Sequence, residues 1–257
     1  MDLDFVQAIR MYELEQIRML FPPGSTVLEI GAGAGWQAKV LAEGGCEVSA
    51  IDIAGSRYRD KRIWPVREYD GTHIPFPSAT FDVVFSSNVL EHIPHLVSFQ
   101  NEIKRVLKPQ GKALHILPTT WWRLWTLLTH YPTVVKWLYL LVASKLPASS
   151  PDTVQKSMAA SLEKYTWGQL LCRALWPPRH GEKGNALSEL SWFSRTYWQV
   201  FFAMTGWRLV QVYPAGLFYS GNLLFGPALG IPWRHQLSRV LGSAAMVYVI
   251  EPGDVGT

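Results

Sequence analysis

The sequence predicts an α/β fold, a mainly parallel sheet with helices on both faces and an aromatic helical insertion before its last two strands. Three observations predict it. Short apolar strand-like runs alternate with helical runs from Thr26 to Leu117, and glycines cluster where the first strand meets the first crossover helix. From Pro118 the alternation stops and tryptophans accumulate, ten of the twelve lying at or beyond Trp121. Strands that alternate with helices must pair in parallel, because each crossover returns the chain to the same end of the sheet.

The elements follow in order. Residues 4–20 set Phe5, Ile9, Tyr12, Ile17 and Leu20 near one helical face, and Pro22, Pro23 and Gly24 stop that run. A short apolar strand covers Thr26–Ile30, a helix 36–42 and a second strand 47–51, which together make a βαβ unit. A strand at 81–86, a helix at 97–107 and a strand at 112–117 continue the pattern, and 208–213 and 246–250 read as the last two strands. This divides the chain into a core over 1–117, an aromatic insertion or acceptor lid over 118–206, and a closing part over 207–257 that completes the sheet.

Apolar residues make up 48% of the 257 and charged residues 17%, so the chain can bury a core and is not a disordered tail. The net charge of +4, with no Lys/Arg run, argues against nucleic acid as a partner. Only Cys46 and Cys172 are present, in unrelated contexts, so neither a zinc site nor a disulfide framework is indicated and metal independence is expected. The acidic N-terminus lacks an apolar signal-type segment, and a reducing, cytoplasmic setting is expected.

The segment VLEIGAGAGWQAKVLAEGGCEVSAID holds most of the functional information. A strand runs into Gly31, Ala32, Gly33 and Gly35, and a helix follows at once. Glycines permit a tight turn and close approach of a ligand to amides at a helix start, whose partial positive charge suits anions or carboxylates. The third glycine of the dinucleotide pattern would fall at Trp36, so the spacing favours S-adenosylmethionine (SAM) over NAD. Asp52, about twenty residues on, stands where a carboxylate can accept hydrogen bonds from ribose hydroxyls. Glu29 lies inside the strand, where an unpaired buried carboxylate is costly, so a partner near the loop is expected.

With Asp70-Gly71 followed by IPFPSATFDVVFSSNVLEHI and EIKRVLKPQGKALHI, the pattern resembles the class I, Rossmann-like SAM-dependent methyltransferases of small molecules over about residues 24–117. The resemblance implies a seven-stranded sheet and SAM as cofactor. It also implies that Asp70, as the acidic residue before the third strand region, reads the adenine amino group beside the Gly71 backbone. Ile53 and Ile74 are candidates to flank the adenine ring, and Ser86 and Ser87 to offer carbonyls or hydroxyls to the methionine end. LKPQG has Gln110 where the family usually has a second glycine, and a turn between helix and strand is expected there.

Methyl transfer from a sulfonium needs alignment and desolvation more than an elaborate catalytic set. Where the acceptor is a hydroxyl, a base helps, and Glu91, His92, His130 and His180 are the candidates, with Glu91, His92 and His180 the preferred catalytic set. Residues 116–180 carry a net charge of +5, and their apolar runs are broken by Arg123, His130, Pro132 and Lys136. A spanning helix is therefore not expected, whereas two amphipathic helices over 118–145 suit a membrane surface, with Trp121, Trp122, Trp125 and Trp137 at the headgroup boundary. The alternative for this region is a lid packed on the sheet or a dimer face, which leaves an oligomer open. HGEKGNALSEL, SWFSRTYWQVFFAMTGW and GLFYSGN resemble methyltransferases of bacterial surface-polysaccharide pathways. That resemblance implies a hydroxyl of a sugar or lipid-linked glycan as acceptor; a quinone or other lipophilic small molecule is the alternative, and a non-catalytic SAM-binding partner subunit the second.

Overall fold

The computed structural model describes residues 3–143, 168, 174–222 and 226–253. Seven strands form one sheet in the order β3-β2-β1-β4-β5-β7-β6, with β1 (Thr26–Ile30), β2 (Glu47–Ile53), β3 (Arg67–Tyr69), β4 (Phe81–Ser87), β5 (Leu107–Pro118), β6 (Trp207–Pro214) and β7 (Ala245–Pro252). β1 to β5 pair in parallel, and β7 runs antiparallel between β5 and β6. The sheet is thus mainly parallel, as its crossover helices require.

Side-chain alternation along the strands fills two faces. Val83 and Phe85 of β4 point one way, to a cluster shared with Leu14, Ile17 and Leu41 of the N-terminal segment and α2 (Trp36–Glu43). Val84 points the other way, toward Leu96, Phe99, Ile103 and Val106 of α3 (Leu96–Val106). Those four recur at helical spacing, which is why this segment coils with one apolar stripe inward. Burying a Phe or Leu of this kind contributes about 1.5–3 kcal/mol.

Several boundaries differ from the sequence reading. α1 (Leu3–Glu15) stops before the prolines, and a separate short turn at Arg18–Leu20 leads into β1. LKPQG is not a turn after α3: β5 begins at Leu107, pairs there with Phe81, and resumes at Lys112 opposite Val83. The extra residues are absorbed as a bulge. Gly111 returns the strand to register where an added side-chain carbon would lie 3.0 Å from the Phe81 carbonyl oxygen.

The aromatic region forms α4 (Thr120–Leu128) and α5 (His130–Ala143), then α6 (Glu189–Trp192) and α7 (Arg195–Met204), while α8 (Ile231–Leu241) connects β6 to β7. Thr119 caps α4 by accepting the Trp122 amide at 3.2 Å and ties it to the sheet by donating to the Ser243 carbonyl at 2.6 Å. Trp198 and Phe202 of α7 lie in the same buried cluster as α3, so this helix packs on the sheet itself. Of the tryptophans expected at a membrane boundary, Trp121 is exposed, Trp122 is buried, and Trp125 donates its indole N–H to the Leu241 carbonyl. Arg123 is also internal, and the side chain of Trp137 lies outside the described residues. Among the described residues, no helix is long and apolar enough to cross a membrane.

Candidate functional site

The glycine loop leaves β1 and enters α2 through three residues with left-handed backbone, at φ +69° for Gly31, +59° for Gly33 and +79° for Gly35. An added carbon at Gly31 would lie 2.4 Å from Val89 Cγ2, and one at Gly35 would lie 2.5 Å from Trp64 Cβ. Both conformation and space therefore demand glycine at these two positions. The Gly31 and Ala32 amides donate to the Ile51 carbonyl at 2.8 and 3.1 Å, folding the loop over the end of β2.

Asp52 is buried in β2 rather than ending it, and its Oδ2 accepts the Gly33 amide at 3.0 Å. Its other oxygen accepts the Ile53 amide at 2.8 Å. The carboxylate is thus aimed across the loop, with lone pairs left for further donors. Glu29 is also buried, and its Oε2 has no hydrogen-bond partner. Burial pushes its carboxyl up to about 8; the Ala38 amide opposes that shift and nearby Asp52 reinforces it. The partner expected near the loop is this amide in α2.

Ile53 is half-exposed beside Gly71, where an added carbon would lie 3.4 Å from Ile53 Cγ2. Asp70 follows β3 instead of preceding it, because the third strand is only Arg67–Tyr69. Its Oδ1 accepts the Thr72 and His73 amides at 2.8 Å each, which holds the carboxyl below the usual range. Ile74 is fully buried in the core and does not face this edge. Ser86 is also fully buried, and its hydroxyl is engaged with His115 Nδ1 at 2.8 Å; Ser87, at the end of β4, is half-buried. The Ser86 hydroxyl is therefore not presented at the strand end.

The structure brings Glu91, His92 and His180 together, although 88 residues separate His92 from His180. Glu91 sits in the short turn Leu90–His92 after β4, its side chain 1% exposed, with Oε1 3.8 Å from His92 Nε2 and 3.9 Å from His180 Nε2. Neither carboxylate oxygen has a hydrogen-bond partner. The two imidazoles lie 4.6 Å apart, centroid to centroid, and Trp122 covers His180 at 4.5 Å. Burial lowers the pKa of His92, an effect that Glu91 and Glu182 oppose and His180 and Arg57 reinforce.

Residues that the sequence reading missed hold His180 in place. Glu189 accepts the His180 and Gly181 amides at 2.7 Å each and forms a buried ion pair with Arg123 at 2.9 Å. The Glu182 amide donates to the Glu91 carbonyl at 3.0 Å, closing the loop onto the turn after β4. His130 is buried with Nε2 at the Ala174 carbonyl, so it is not presented as a base. The cluster adjoins the glycine loop, since Val89, two residues before Glu91, packs on Gly31, and Tyr58 packs on Gly33. A small cavity of about 30 Å³ beside Glu91 is walled by Leu90, Leu96, Trp192, Phe193, Tyr197 and Trp198.

Residues 28–115 match the family described as a methyltransferase domain. An uncharacterized methyltransferase of a Mycobacterium species is 36% identical over 39% of this chain and 41% of its own length. A 2-methyl-6-phytyl-1,4-hydroquinone methyltransferase of a Synechocystis species is 33% identical over 42% of this chain and 36% of its own. The chain thus spans about two fifths of the curated relatives it matches. Among solved structures, an S-adenosylmethionine-dependent methyltransferase from Mesorhizobium loti superposes with a TM-score of 0.51 at 14% identity, over 93% of this chain and 97% of the other.

Proposed function

We propose that this chain, whose residues 28–115 match a methyltransferase domain, is a class I, Rossmann-like SAM-dependent methyltransferase that moves the methyl group of SAM to a hydroxyl of a lipophilic small molecule. The observation that carries this reading is the contact between Gly31 and Val89, which sets the glycine loop beside the Glu91–His92–His180 cluster. A cofactor held by the loop, Glu29 and Asp52 then presents its sulfonium methyl toward groups able to activate an acceptor oxygen. Ile53, Asp70 and Gly71 lie together at the ends of β2 and β3 and form the proposed adenine edge, and Ser87 with the backbone of Ser86 the methionine end.

The hydroquinone methyltransferase relative supports a lipophilic acceptor, and the apolar character of the side chains around Glu91 is compatible with one. A sugar or lipid-linked glycan hydroxyl is the second reading, favoured by the part-buried Trp192 and Tyr197 rings bordering the cavity. In this account residues 118–206 form the acceptor lid. Incubation with methyl-labelled SAM and separated lipid, quinone and glycan fractions tests it. Label in the lipid or quinone fraction is the expected result; label only in glycan transfers the assignment to the second reading, and label nowhere sinks both.

We further propose peripheral contact with the cytoplasmic face of a membrane through 118–145. Trp121, Leu128, Tyr131, Leu138 and Tyr139 leave an exposed apolar surface on α4 and α5. Co-flotation with anionic vesicles is expected, and recovery of all protein below the vesicle band would overturn this part.

A further inference from the structure

We propose that Glu91, His92 and His180 form a binding site for a divalent first-row transition-metal cation such as Zn²⁺ or Mn²⁺. The three side chains supply one carboxylate oxygen and two imidazole nitrogens, all within 4.8 Å of one another. Two nitrogens and one oxygen are a donor set that such cations accept readily.

The distances favour a cation over direct hydrogen bonding. Glu91 Oε1 lies 3.8 and 3.9 Å from the two imidazole Nε2 atoms, beyond the 2.7–3.2 Å of a hydrogen bond. Metal–ligand bonds of about 2.0–2.2 Å at tetrahedral angles set ligand atoms about 3.4 Å apart. The two carboxylate–imidazole spacings exceed that value by about half an ångström, and the imidazole–imidazole pair lies within 4.8 Å. The Glu91 carboxylate is the second, independent sign. Both its oxygens are buried and unpartnered, with the side chain 1% exposed, and an uncompensated buried carboxylate is strongly unfavourable. The nearby buried Arg123 charge is spent on Glu189.

The surroundings leave room for further ligands. His92 and His180 are 40% and 34% exposed, so positions on the cation face the open side, where solvent or an acceptor oxygen can bind. Trp122 and the Glu189-anchored loop fix the His180 ring on the other side. This assignment rests on the reading of the cluster as the acceptor-activating part of a methyltransferase. An acceptor hydroxyl bound to the cation loses its proton to water more readily. Its oxygen then forms the O–C bond as the S–C bond of SAM breaks, giving the methyl ether, S-adenosylhomocysteine and the released proton.

The test is calorimetric titration of chelator-treated, desalted protein with Zn²⁺, Mn²⁺ and, as a hard cation that prefers oxygen ligands, Mg²⁺. One Zn²⁺ or Mn²⁺ per chain is expected, with Mg²⁺ much weaker. Glu91→Gln and His180→Ala should each weaken binding tenfold or more, while His95→Ala leaves it unchanged; circular dichroism verifies that each variant folds, and His180→Asn serves if His180→Ala does not. Absence of stoichiometric binding, or binding indifferent to both Glu91→Gln and the His180 variant, overturns the proposal. SAM titration of the same metal-free sample separates the two readings. SAM binding without metal binding removes only the cation site, whereas metal binding without SAM binding removes the proposed function.

Discussion

Replacing Glu29 with Gln should abolish a proton that the protein gives up when SAM binds. In the ligand-free protein Glu29 is buried, has one oxygen without a partner, and titrates at about 8. At pH 7 it is therefore about nine-tenths protonated. A cationic group of SAM placed against that oxygen lowers the pKa by about 1–3 units, and a drop of about two leaves about a tenth protonated. About 0.8 proton is then released per SAM bound, and affinity rises with pH by up to about tenfold per unit toward pH 8. The sign follows from the ionisation: the free protein holds the proton, the complex does not, so higher pH favours the complex. Calorimetry at pH 7 in two buffers of different ionisation enthalpy reads the release directly. Equal heats in both buffers, or a release that persists in Glu29→Gln, would refute the reasoning.

Gly31→Ala combines a φ of +69° with a side-chain carbon 2.4 Å from Val89 Cγ2; a loss of about 1–3 kcal/mol is expected by denaturant unfolding, and an unchanged midpoint argues against the packing described. Arg123→Ala strands the buried Glu189 carboxylate, side-chain exposures being 2% and 0%, so about 3–5 kcal/mol should be lost. The double replacement with Met should recover only part of it, because the His180 and Gly181 amides then lose their acceptor; a double-mutant cycle measures the coupling. His115 is buried with its pKa pushed down to about 3. Its contribution to stability is present above the unfolded value near 6.5 and is lost as pH falls through the folded one. Unfolding free energy should therefore drop by about 1.4 kcal/mol per pH unit across that window, and His115→Phe should flatten the slope.

The strands and crossover helices were legible because their signals are local. Thr26–Ile30 and the glycines after it carry their own periodicity and turn chemistry, and the order of the motifs marks the parallel sheet. The place of Asp52 near the end of β2 was legible for the same reason. The engagement of the Ser86 hydroxyl was not legible because a strand's two faces are equivalent until the neighbouring strand is known, and its partner His115 is 29 positions away. Glu91, His92 and His180 were named together from the sequence as candidate bases, but the geometry of their meeting was beyond the same limit. Glu91 and His92 are adjacent, but His180 arrives through a loop fixed by Arg123 and Glu189, a pair 66 residues apart that no spacing rule connects. Arg123 looked like a break in an apolar helix for want of its partner. The tryptophans of α4 divided between core and surface for a comparable reason: Trp122 packs on Phe193 and Trp121 does not.

Binding of the cofactor by the loop over β1 and β2 is the central claim, and calorimetric titration with SAM and, separately, NAD tests it most directly. The account predicts one SAM per chain, competition by S-adenosylhomocysteine, and affinity reduced tenfold or more by Asp52→Asn, with no heat from NAD. Saturable binding of NAD with no binding of SAM would contradict it.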